Sequence, residues 1–94
     1  MAQYWGTGRL GTHQSVAYTG TAGTISTAFS AAMKKARVVC TSAAYIKIGV
    51  APTATTSDVY MAADAPEYFT VATGEKVSAI QVSAGGTLHV TEIP

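Results

Sequence analysis

Ninety-four residues make one small domain, and a single cysteine, Cys40, leaves no partner for an intrachain disulfide. Only 12% of residues are charged and the formal net charge is +1, which argues against a duplex nucleic-acid binder, whose affinity comes from many Lys and Arg contacts to phosphate. A modest core and few charges lead us to expect a surface covered by copies of the same chain or by another protein, the plainer alternative being a monomer whose polar surface comes from abundant Ser and Thr.

The N-terminus Met1-Ala2-Gln3-Tyr4-Trp5 lacks the basic and apolar regions of a signal peptide, and no apolar run approaches the roughly 20 residues of a membrane-spanning helix. With a free thiol as well, the expectation is synthesis in a reducing cytoplasm and no membrane partner. Residues 1–14 read as an extended arm, because Gly6, Gly8 and Gly11 interrupt any helical or strand period. Large side chains on such an arm anchor in pockets, either on the chain's own sandwich or on a neighbour, so Tyr4, Trp5, Arg9 and Leu10 are candidate partner contacts.

Residues 15–94 carry the folded domain, and their period is two. Val16 and Tyr18 alternate with polar or small neighbours, Gly20 to Gly23 form a turn, and Ile25, Thr27 and Phe29 continue the alternation. Residues 28–36 have helix-forming composition, with Phe29 and Met33 at i,i+4 spacing, and predict one or two helical turns. Val38 to Cys40 form an apolar strand, and Ile46 and Ile48 flank Lys47 before Gly49 ends the run. Residues 51–58 have no apolar period and read as a long loop. Val59 and Met61, Phe69 and Val71, Ile80 and Val82, and Leu88 and Val90 are then the expected inward pairs of four further strands. Ala84-Gly85-Gly86-Thr87 between the last two predicts a hairpin, with glycines supplying the positive φ of a short turn. Eight short strands at regular spacing predict an all-β fold, a single antiparallel β-sandwich of jelly-roll-like or Greek-key type. The pattern does not separate those topologies.

Motifs with chemical content are few. Gly6-Thr7-Gly8-Arg9-Leu10-Gly11 matches G-x-G-x-x-G by letter, but no strand leads into it and no helix leads out, so no dinucleotide site is expected. Cys40 reads as a core residue. His13 and His89 stand alone in sequence, without the paired spacing of a zinc site, and His89 points outward between Leu88 and Val90. Asp58, Asp64, Glu67, Glu75 and Glu92 fall in turns or at strand ends without the spacing of a carboxylate pair. We therefore expect no catalytic residue, cofactor or metal. Tyr45, Tyr60 and Tyr68 lie out of phase with the core; Tyr60 and Tyr68 are the candidate partner-binding residues of the domain, as an interface or as a sugar-stacking platform.

The runs Arg37-Val38-Val39-Cys40-Thr41, Tyr45-Ile46-Lys47-Ile48-Gly49, Ala51-Pro52-Thr53-Ala54, Pro66-Glu67-Tyr68-Phe69 and Gly74-Glu75-Lys76-Val77 carry a further resemblance, as does 80–92. Together they resemble small β-rich virion proteins of tailed bacteriophages, most of all the capsid cement or decoration proteins. The likeness covers roughly residues 14–94 and is a pattern of strands and turns. It implies a homo-oligomer, a trimer foremost, that binds the major capsid protein at capsomer junctions and resides in the virion. Head–tail or tail attachment proteins share such sandwiches, and a carbohydrate-binding module is the reading the outward tyrosines offer instead.

Overall fold

The computed structural model describes residues 13–29 and 35–93. Among these lie eight strands: β1 (His13–Tyr18), β2 (Gly23–Thr24), β3 (Lys35–Cys40), β4 (Ala44–Gly49), β5 (Val59–Met61), β6 (Glu67–Thr70), β7 (Lys76–Gln81) and β8 (Gly86–Ile93). They form two antiparallel sheets of four, in the orders β1-β8-β3-β6 and β2-β7-β4-β5. The chain changes sheet at every connection except β4 to β5, which pair directly. Two interlocked Greek keys of this order make a jelly roll. The domain is an all-β sandwich.

Alternation decides which side chains meet between the sheets. Val16, Leu88 and Cys40 lie opposite one another across β1, β8 and β3, and Val90 and Val38 form the next inward row. The other sheet contributes Ala44, Ile46, Met61, Val77 and Ala79. Tyr18 and Phe29 are the largest fully buried side chains, and Leu88, Val38 and Val90 are completely sealed. Tyr18 also carries a polar end into this layer: its hydroxyl donates to the Ser42 carbonyl and accepts from the Ser42 N–H at 3.2 Å. A buried phenol needs such a partner.

Several expectations are corrected here. His13 and Gln14, placed with the arm, are the first residues of β1, and Gln14 ties that strand to Thr27 by two side-chain bonds of 2.9 and 3.0 Å. The helical turns expected over 28–36 are absent at both described ends. Phe29 is extended and bonds through its backbone to Glu75 (2.9 Å) and Gly74 (3.0 Å), while Lys35 and Ala36 belong to β3. Residues 30–34 lie outside the described residues. Pairing with the neighbouring segment satisfies both backbone groups of Phe29, whereas a marginal two-turn helix leaves its end groups without partners.

In β7 the phase is opposite to the one expected. Val77 and Ala79 face the core, whereas Ile80 points outward and Val82 beyond it is 40% exposed. One residue of register moves a whole strand's side chains to the other face. The hairpin expected at 84–87 is also not formed. β7 and β8 belong to different sheets, so the glycines serve an arch between layers. Their role is space: a Cβ on Gly86 would stand 2.7 Å from both the Tyr18 hydroxyl and Thr41 Oγ1.

The loop after β4 folds back over its own sheet. Pro52 and Ala54 are buried, and Ser78, an outward residue of β7, is completely covered beneath them. The Ser78 hydroxyl accepts the Ala54 N–H at 2.9 Å and the Thr24 hydroxyl at 3.1 Å. Asp58 closes the far end of the loop, its carboxylate accepting from the Thr55 N–H at 2.7 Å. Ser78→Ala strips the partner from a buried N–H, and a loss of about 2 kcal/mol is expected. Urea denaturation should show a lower midpoint with unchanged slope.

Candidate functional site

With the core sealed, chemistry is left to the two outer faces and the open edge between β5 and β6. On the β2-β7-β4-β5 face, Ile80, Tyr45 and Tyr60 stand in one cross-strand row. The two tyrosine rings meet edge to face, 6.1 Å apart at 69°. Tyr60 is 56% exposed, and the exposed Val82 follows Ile80 along the same face. Lys47, two residues along β4 from Tyr45, and Lys76, in phase with Ile80 at the start of β7, bring positive charge to this outward set.

Around the edge lies an apolar groove of about 240 Å³, lined by Ile46, Ile48, Val59 and Phe69 and flanked by Lys47 and Asp58. Val59, expected inside, is 64% exposed here. It has the inward phase, but β5 and β6 are the edge strands of their two sheets, and between Val59 and Phe69 the layers leave the groove open.

On the other face, the outward rows are His13–Thr91–Arg37–Tyr68 and Ser15–His89–Val39. Tyr68 therefore stands at the far edge beside Arg37, on the opposite side of the sandwich from Tyr60. The two tyrosines do not form one platform. The fold instead pairs Tyr60 with Tyr45, which the alternation of β4 had already marked as outward.

The histidines, isolated in sequence, are brought together by the β1–β8 ladder. Their ring centres are 5.5 Å apart with planes at 21°, and His89 Nδ1 lies 3.5 Å from His13 Nε2. His13 Nδ1 is 2.8 Å from Thr91 Oγ1. Seventy-six residues separate the two in the chain, so only the strand order could reveal the pair.

Cys40 is fully buried, with Sγ 3.9 Å from Met61 Sδ. Burial pushes its thiol up, and the neighbouring Tyr18 hydroxyl only partly opposes this. A thiol held protonated in an apolar layer is a packing group, as the strand pattern around it suggests. Among the described residues, no group of three or more His, Cys, Asp or Glu side chains converges as a metal cage. Tyr4, Trp5, Arg9 and Leu10, with the glycine motif of 6–11, lie outside the described residues.

The arrangement defines a jelly-roll domain whose outer faces, not its interior, are available to partners. No family model, curated protein or solved structure matches the chain.

Proposed function

We propose that this chain is a structural protein of a tailed-phage virion, a capsid cement or decoration protein that associates with itself and binds the major capsid shell at capsomer junctions. The observation that carries the packing role is the outward row Ile80–Tyr45–Tyr60, with Val82 beside it, on a sheet face with little charge. Tyrosine and aliphatic side chains with few charges beside them have the composition of an interface core. The virion assignment rests on the resemblance of residues 14–94 to cement proteins, for which a small antiparallel sandwich is the expected scaffold. An edge-to-face tyrosine pair favours this reading over sugar stacking, because the two rings do not offer one continuous plane.

The mass of the full chain in solution, by light scattering, is the first test. A trimer is expected, with Tyr60→Ser and Tyr45→Ser each weakening association about tenfold or more, the effect of losing a central aromatic contact. Removing residues 2–12 should weaken it further if the arm reaches a neighbour. A monomer that binds glycans on an array, with Tyr60→Ser abolishing the signal, would replace cement by a carbohydrate-binding module.

A further inference from the structure

The pair His13 and His89 has no part in the packing role proposed above, and its rings turn one nitrogen each toward the other. The gap between facing nitrogens, 3.5 Å, is shorter than the 5.5 Å between ring centres by nearly the sum of the two ring radii. The nitrogens therefore lie close to the line joining the rings, which meet edge to edge. At 3.5 Å they are beyond the ordinary span of an N–H···N bond. A tetrahedral zinc with Zn–N bonds of 2.0–2.1 Å holds two ligand nitrogens roughly 3.4 Å apart. The separation fits two ligands of one ion better than a donor and its acceptor.

We propose that His13 Nε2 and His89 Nδ1 form a two-imidazole site for a divalent transition-metal ion such as Zn²⁺, on the outer face of the β1-β8-β3-β6 sheet. In the tautomer whose Nδ1–H donates to Thr91 Oγ1, His13 presents its Nε2 lone pair toward His89. A hydrogen bond on the far nitrogen is the usual device for orienting a ligating histidine. Turning each ring by about 35° aims both lone pairs at one ion at tetrahedral angles. Both residues lie on neighbouring strands whose ladder fixes their backbones, with Ser15 directly across from His89. Neither neighbour supplies a carboxylate, and Arg37 stands one strand beyond Thr91, so water completes the coordination. Two nitrogen ligands without oxygen anions select zinc, nickel or copper over magnesium and calcium.

Calorimetric titration of the full chain with ZnCl₂, with MgCl₂ as control, tests the site. One Zn²⁺ per chain and no heat from Mg²⁺ are expected. His13→Gln and His89→Gln should each weaken Zn²⁺ at least tenfold, and Thr91→Val, which keeps the shape but loses the orienting hydroxyl, by about tenfold. Metal-free melting curves of all three variants should match the parent, which separates ligand loss from unfolding. Adding Cu²⁺ should broaden amide NMR signals around residues 13–15 and 89–91 first. The proposal is overturned if Zn²⁺ gives no saturable binding up to millimolar concentration. Equal affinity in either glutamine variant, or broadening centred on Cys40, would overturn it as well.

Discussion

Gly23→Ala is expected to destabilise the domain by about 3 kcal/mol, the upper end of overpacking costs, although it adds one methyl group to a short strand. The cause is backbone proximity. A Cβ on Gly23 would stand 2.2 Å from the Ala17 carbonyl oxygen and 3.1 Å from its carbon, where β1 turns into β2. No flexible side chain can yield there. Relief requires separating the two strands, and with them the Ala79 and Ser78 pairing that joins β2 to its sheet. A domain of this size has about 5–10 kcal/mol of stability to lose. Gly49→Ala is the matched control, since no atom lies within 4 Å of its would-be Cβ. That variant should be neutral or gain a few tenths of a kcal/mol from a stiffer unfolded chain. Urea curves followed by far-ultraviolet circular dichroism distinguish the two, and equal midpoints would refute the packing of β1 on β2.

Leu88→Ala is expected to cost about 3 kcal/mol as well, by a different route. Leu88 is fully sealed at the centre of its sheet, between Val16 on β1 and Cys40 on β3, facing the opposite layer. Its truncation leaves a void that neighbours on rigid central strands cannot close. Val59→Ala, also a truncation of a branched aliphatic at an inward-phase position, should change stability by under about 0.5 kcal/mol. The difference lies mainly in position, beyond the one carbon by which the truncations differ: Val59 stands on an outermost strand at the groove, already 64% exposed. If both truncations cost the same, the groove is occupied in solution.

Much of this architecture was legible because alternation is a local signal. Val38 and Cys40, Ile46, and Leu88 with Val90 all face inward as their spacing predicts, and each lies on a strand flanked by two partners. The pattern failed where local preference does not determine the partner. Ile80 and Val82 are as apolar as Val77 and Ala79, so either phase of β7 looked acceptable; the pairing of Tyr45 with Ile80 decides it. Gly85 and Gly86 signal a chain reversal, but a reversal within one sheet and an arch between two carry the same residues. Ser78 is polar yet sealed, because the loop of 50–58 covers it, and no periodicity reports what a loop lies upon. The candidate site was legible only in fragments. Tyr45 and Tyr60 were outward by phase, but their contact, the distance of Tyr68 from them, and the meeting of His13 with His89 all depend on strand order. Strand order is set by the long-range closure of the jelly roll and has no counterpart in short-range spacing.

The place of β8 has a consequence for how the chain reaches this state. It runs between β1 and β3, bonded to both along its length, so the two early strands never touch directly. A nascent chain that has emerged only as far as residue 80 holds the flanks of a sheet whose middle does not yet exist. Its apolar rows face solvent until residues 86–93 arrive and join β1, made some seventy residues earlier, and β3, made some fifty residues earlier. Such closure is slow, since the entropy of the whole intervening loop must be lost before the first pair is gained. The interval before it is when this protein is most exposed to aggregation, and when a chaperone would matter most to its yield.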